Sequence, residues 1–341
     1  MDPETANRLY EIGGQLLFLN APANLEFGID YNAWTIGPIF KGVKMIPPGL
    51  HFIYFSSTSK EGVQGIRTGF FKYFEPTEIV VREWNSKIED LYDESEVDPA
   101  QTERYIISKN MGPYPLDPPS YYQRWQQLTN FITPGLLKRI LPNNGRVSHL
   151  PASSSKVEKQ EDKEKGKGKE IDNHILQQQE INEEDTTTTT TTSIDTDPLI
   201  LKDKRKGKQQ LEKEEGMEFT PFDIRQSFPP GSTGEQITKW SLDKSWLVRH
   251  LLDQVYLDNH HLLLGELQLA FVCLLMAQNF SGFQQWKQLV HLLCSCQELI
   301  LEKPDLYIDF IDTLKNQLEE CPTDFFHDIL SENNFIAFML K

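Results

Sequence analysis

The strongest constraint on this chain is a stretch that has nothing to fold around. Between Pro151 and Gly216 there is no phenylalanine, tyrosine or tryptophan. The text runs SSSKVEKQEDKEKGKGKE, then ILQQQE, then seven consecutive threonines from Thr186 to Thr192, then KDKRKGKQQLEKEEG. Such a composition buries too little apolar surface to offset the entropy of ordering the chain. Residues 151–217 are therefore expected to be a disordered low-complexity linker. Two segments remain that can fold, 1–150 and 218–341, each within the usual size of one domain. Over the whole chain 38% of residues are hydrophobic and 11% aromatic, enough for real cores. The mean hydropathy of -0.47 is consistent with part of the chain staying unfolded.

The formal net charge is -16. Residues 1–150 hold 14 basic and 17 acidic side chains, 151–217 hold 12 and 16, and 218–341 hold 8 and 17. The C-terminal segment carries most of the acidity, so its partner should be a protein offering basic or neutral contacts. Wrapping a nucleic acid backbone requires clustered lysine and arginine, which neither foldable segment supplies. The basic blocks KGKGK and KDKRKGK have the composition of a nuclear-import address, although charge runs in linkers ordinarily only solvate. The many serines and threonines there are generic phosphate acceptors. Cys273, Cys294, Cys296 and Cys321 lie in the last quarter, inside apolar helical text, with no C-x-x-C and no zinc-like spacing. They read as small buried hydrophobes of a reducing compartment. MDPETANRLYEIGG carries no apolar run, so no signal peptide is expected. The most apolar span, His261 to Phe280, is interrupted by Glu266, Gln268 and Gln278 and reads as a buried core helix rather than a membrane span.

The N-terminal segment reads as β-rich. QLLFLNA, LEFGID, GVKMI, LHFIYFSS, GIRTGFFKYF and EIVVREWN are short runs rich in β-branched and aromatic residues, separated by turn residues. Pro48 and Gly49 suit a type II turn between two strands. In the strand that follows, His51, Ile53 and Phe55 fall on one face, and Phe52 and Tyr54 on the other. After IEDLYDESEV and QTERYIISKN come MGPYPLDPPSYY and a helix, YYQRWQQLTNFI. A β-sandwich or barrel-like domain closed by a helix or two is the expectation. The C-terminal segment reads as all-α. Ser241 or Asp243 caps a first helix with Trp246, Leu247, His250, Leu251 and Val255 on its inner side. A second helix spans about Leu262 to Gln278. A third, GFQQWKQLVHLLCSCQELIL, starts after Ser281, a fourth begins at Pro304 and a fifth at Pro322. Short connections imply antiparallel neighbours. The fold class is α+β in two domains.

The chain has no G-x-S-x-G, phosphate-binding loop, H-E-x-x-H or dinucleotide fingerprint. The most site-like text is GIDYNAWTIGPIFKGVKMIPPGLHFIYFSS, residues 28–57, where Asp30 and His51 suggest an acid–base pair. A structural reading is stronger. Gly28, Gly37, Gly42 and Gly49 fall as turn punctuation, Asp30 as an Asx-type turn carboxylate, and Trp34 and Phe40 as packing residues. His260 and His261 precede an apolar helix with nothing nearby in sequence to complete a metal site. Glu266 and Gln268 are expected to bond backbone or a neighbouring helix. Two alternatives stay open: a small hydrolase using Asp30 and His51, and an RNA-binding β-domain protein with bases stacked on exposed rings.

FGIDYNAWTIGPIFKGVKMIPPGLHFIYFSS, residues 27–57, resembles the opening signature of the A1 cistron-splicing factor family. The likeness continues in RTGFF, in MGPYP followed by the tyrosines and RW of the next helix, in GELQLAFVCLLMAQNFSGFQQWKQLVHLLC and in CPTDFF. It covers most of the chain outside 151–217, whose Thr-, Lys- and Gln-rich text is unlike the family's shorter connections. The resemblance implies a β-rich domain joined to a helical domain similar to VHS-type folds, no enzymatic activity, and no cofactor or metal. It implies an assembly factor of the U5 snRNP that binds the large central scaffold protein of that particle through its RNase-H-like and MPN-type domains. The factor keeps the particle's RNA helicase off until the two are exchanged, with phosphorylation implicated in release. No direct nucleic acid, membrane or small-molecule partner is implied, and the location is cytoplasmic and nuclear. The C-terminal tail, NNFIAFMLK, is implied to add as a strand to the partner, and the alternation of Phe335, Ala337 and Met339 suits that mode.

Overall fold

The computed structural model describes residues 2–58, 64–92, 111–116, 118–148 and 216–321. The expected linker core, the helix at Pro322 and the tail residues Phe335, Ala337 and Met339 lie outside the described residues. The described residues on both sides of the linker belong to one compact unit.

The chain opens with a helix, α1 (Pro3–Ile12), that the sequence reading did not anticipate. Asp2 accepts a hydrogen bond from the Thr5 amide and Pro3 stands in the first turn, so a cap and a pre-set φ start the helix without an apolar run. The strands β1 (Gly14–Leu19), β2 (Glu26–Ile29), β3 (Asn32–Thr35), β4 (Gly42–Ile46), β5 (Gly49–Thr58), β6 (Gln64–Phe74), β7 (Ile79–Asn85), β8 (Asp90–Leu91), β9 (Gly112–Pro113) and β10 (Arg146–Ser148) follow. They form two five-stranded sheets, ordered β8-β7-β1-β4-β9 and β10-β6-β5-β2-β3. Most neighbours are antiparallel, but β1 runs parallel to β7 and β4 parallel to β9. Leu16, Phe18, Val43 and Trp84 of the first sheet meet Phe27, Ile53, Phe55 and Phe70 of the second in one buried cluster, which makes this part a sandwich.

The run around Pro47-Pro48-Gly49 does join two strands, but they do not pair with each other. β4 belongs to the first sheet and β5 to the second, so the two prolines mark a change of sheet. Gly49 has φ +133°, far from the value a type II turn needs at that position. Gly28 is also not a turn residue. It sits within β2, opposite Tyr54, and a Cβ there would lie 2.1 Å from the tyrosine ring. Glycine lets the Tyr54 ring lie over the strand.

β5 is buried on both faces. His51, Ile53 and Phe55 face the sandwich, whereas Leu50, Phe52 and Tyr54 join a second cluster built mainly from helices. Alternation along an extended strand puts successive residues into different cores. The helices begin with α2 (Pro119–Thr129), whose buried Trp125 donates its indole N–H to the Leu50 carbonyl at 2.7 Å. They continue with α3 (Pro134–Ile140), α4 (Gly234–Leu242), α5 (Ser245–Gln254), α6 (His260–Ala277), α7 (Phe280–Cys294), α8 (Glu298–Glu302) and α9 (Pro304–Glu320). The second cluster draws on β5, α2, α3 and the C-terminal helices alike, so the β-rich and helical parts share a core.

α6 is long and apolar enough to cross a membrane by length and composition, but 72% of it is buried inside the protein. Its Gly265 lets it approach the α2–α3 connection, since a Cβ there would stand 2.3 Å from the Phe131 carbonyl oxygen. The inner stripe of α5 is Leu247, Val248, Leu251 and Leu252. Trp246 and Val255 are only partly buried, and His250 is exposed. The expected third helix is two pieces, α7 and α8, broken at Ser295–Gln297. Cys273 and Cys296 are buried, Cys321 is half-buried, and Cys294 is exposed, against the expectation for it. Burial pushes the Cys296 thiol up to about 12 and Cys321 up to about 11, which leaves both largely protonated at neutral pH.

Candidate functional site

The structure brings Asp30 and His51 together, but seals them. Asp30 follows β2 with φ +53°, a left-handed position that Asp tolerates better than most residues. Its Oδ2 lies 2.6 Å from His51 Nδ1 and accepts the Tyr114 hydroxyl at 2.6 Å, and its Oδ1 accepts the Phe52 amide at 2.9 Å. His51 Nε2 lies 2.8 Å from the Pro47 carbonyl oxygen. That carbonyl only accepts, so the hydrogen bond there has Nε2 as its donor. Tyr122 stacks on the imidazole at 6.2 Å, with Phe74 and Tyr114 edge-on. Burial first, and then the charge and hydrogen bond of Asp30, push the Tyr114 hydroxyl far above the usual tyrosine range.

Asp30 is 1% exposed and His51 0%. Both imidazole nitrogens are engaged, so neither is free to take a proton from a substrate. The constellation ties β2, β5, the Pro47 turn and the segment after β9 into one polar knot. It is not the local Asx turn expected from the sequence, because the carboxylate reaches across to the neighbouring strand.

A second knot joins the two foldable segments of the chain. Glu266 on α6 is fully buried and accepts from the Thr220 amide and hydroxyl at 2.7 Å, Arg139 at 2.6 Å, Gln285 at 2.9 Å and Tyr256 at 3.0 Å. Two residues along, Gln268 accepts the Phe131 amide and donates to the Gln127 carbonyl and the Asn130 side chain. These bonds to backbone and neighbouring elements are what the sequence led one to expect. Arg124 of α2 adds a bidentate pair with Glu320 of α9, and Asn279 donates to the Ser148 carbonyl. The seam is thus apolar in its middle and hydrogen-bonded along its length.

His260 and His261 open α6, where the Asn259 side chain caps the helix by accepting the His261 amide. Both Nε2 atoms face Asp309 of α9, at 3.2 and 3.1 Å from the same Oδ2. No local pattern points to this third member, which lies 48 residues from His261 in sequence.

Comparison with known proteins agrees with the fold at both ends. Residues 12–142 match the AAR2 N-terminal domain, and residues 219–341 match the AAR2 C-terminal repeat region. The chain is 33% identical to Protein AAR2 homolog of Homo sapiens over 355 aligned residues, covering 100% of this chain and 84% of that protein. It is 36% identical to Protein AAR2 homolog of Caenorhabditis elegans over 348 residues, covering 100% and 88%. With Protein AAR2 homolog of Mus musculus it shares 32% over 358 residues, covering 100% and 84%. This chain belongs to the AAR2 family.

The AAR2 family, the A1 cistron-splicing factors, is linked to splicing. In the AAR2 frame, the signature text at 27–57 supplies β2 to β5 together with the sealed Asp30–His51 knot. GELQLAFVCLLMAQNF supplies α6 with Glu266 and Gln268. The residues that surround Glu266, Arg139 from the N-terminal segment and Thr220 and Gln285 from its own, were not singled out by sequence reasoning. Arg139 near the end of a short helix and Thr220 just beyond the low-complexity text carry no motif, and only burial of Glu266 identifies them.

Proposed function

We propose that this AAR2-family chain is a non-enzymatic pre-mRNA splicing factor that chaperones assembly of the U5 snRNP. In this reading it binds the large central scaffold protein of the particle through that protein's RNase-H-like and MPN-type domains. It occupies a surface the U5 RNA helicase also needs, so helicase binding waits until the factor leaves. The switch is one of competing affinities rather than of chemistry. The observation that carries the reading is the family match over both foldable segments, 12–142 and 219–341, which share a continuous core. The sealing of Asp30 and His51 supports a non-catalytic role, because the most catalysis-like pair has no free valence. The net charge of -16 supports a protein partner over a direct nucleic acid one. Cytoplasmic assembly followed by nuclear exchange is the location proposed with it, and the helical part is proposed to resemble VHS-type folds. Phe335, Ala337 and Met339 are proposed to line one side of a strand added to the partner.

A pull-down of the full chain against the RNase-H-like and MPN-type domains of the host's own scaffold protein tests the proposal, with and without residues 333–341. Binding that weakens when the tail is removed supports both the partner and the strand addition. Binding that ignores the tail moves the interface to the folded parts. Failure to bind at micromolar concentration removes the proposed partner.

A further inference from the structure

We propose that His260, His261 and Asp309 form a binding site for a divalent transition-metal cation of the zinc class. Imidazole nitrogen and carboxylate oxygen are both zinc ligands, and three protein ligands with one open position is a recurrent zinc arrangement. The three candidate ligand atoms all lie within 4.8 Å of one another. The two Nε2 atoms converge on one carboxylate oxygen, at 3.2 and 3.1 Å. Ligand bonds of about 2.0–2.1 Å in a tetrahedron place neighbouring donor atoms roughly 3.3 Å apart, so a cation fits with small adjustments of the side chains.

The surroundings also suit a ligand set. The Asn259 cap fixes the first turn of α6, from which both rings project. Phe131 stacks on His261 with ring centres 4.7 Å apart and planes 12° apart, which limits rotation of that imidazole. The side chains are 25%, 50% and 32% exposed for His260, His261 and Asp309, so a cation can enter and a water or a further donor can take the fourth position. Bound metal would cross-link the start of α6 to α9, elements otherwise joined through their packed faces. Without an ion, the same three groups are an ordinary hydrogen-bonded clamp, and the experiment separates the two.

The test uses the untagged full chain, stripped with a chelator and then titrated with zinc or cobalt. With zinc at a hundredfold excess over its Kd, the melting temperature should rise by roughly 5 °C or more. Cobalt should give the visible bands of a tetrahedral site without a thiolate charge-transfer band. Both responses should vanish in His261→Ala and in Asp309→Asn, and persist in Cys294→Ser. Absence of any zinc-dependent shift up to about 1 mM would overturn the proposal. So would a response that survives Asp309→Asn, or one that depends on Cys294.

Discussion

Asp30 shows how far a residue's role departs from its appearance in the sequence. Read locally, it is a turn carboxylate whose removal costs roughly 1–2 kcal/mol. In the structure it is a buried hub for His51, Tyr114 and the Phe52 amide. Removing Asp30 leaves His51 Nδ1, the Tyr114 hydroxyl and the Phe52 amide without this buried acceptor, so Asp30→Ala should cost about 3–5 kcal/mol. Urea denaturation checks this, and a loss near 1 kcal/mol would restore the turn reading. The pairing of Asp30 with His51 was legible as a possibility, because both lie in one short signature. Its closure was not, because Tyr114 and the Pro47 carbonyl arrive from loops whose paths depend on the sheet order. The same limit hid Asp309 from His260 and His261, and Arg139 from Glu266: contacts across 48 and 127 residues leave no local pattern.

At the scale of elements, local signals served well where the pattern was strong. α2, α6 and α9 lie where apolar text and Pro304 placed them, and the alternation of β5 holds to the residue. Helices that depend on caps rather than apolar faces were missed. α1 starts from Asp2, and α4 from a capping box between Thr233 and Gln236, and both signals were present in the sequence. Which strands pair was not legible, since the parallel contact of β1 with β7 is set by packing at long range. Asp243 explains the break between α7 and α8. Its carboxylate accepts from the Ser245 amide and hydroxyl and from the Gln297 and Glu298 amides, so one side chain serves the starts of α5 and α8. Burial alone would raise its pKa, but the hydrogen bonds from Ser245, Glu298 and Gln297 outweigh it and hold the pKa below the usual 3.8. A carboxylate depressed in the folded state contributes stability above its unfolded pKa and loses it as pH falls through the folded value. Stability measured from pH 5 to pH 2 should therefore fall less steeply below about 3.8 in Asp243→Asn than in the parent chain. Equal acid limbs would show that the charge of Asp243 contributes nothing.

For the whole molecule, the composition collapse after Pro151 sets two foldable segments apart in the sequence, but it does not reveal that they share a core. The signal was in β5, whose two faces are both apolar enough to be buried. The seam between the two segments is hydrogen-bonded and draws on both AAR2 regions. Under the proposed function, this chain and the U5 RNA helicase exclude each other on the scaffold protein. The most direct measurement is a competition: scaffold RNase-H-like and MPN-type domains bound to the full chain, titrated with helicase and followed by release of labelled chain. Displacement should be reciprocal, each protein raising the apparent Kd of the other. A stable ternary complex with both affinities unchanged would contradict it.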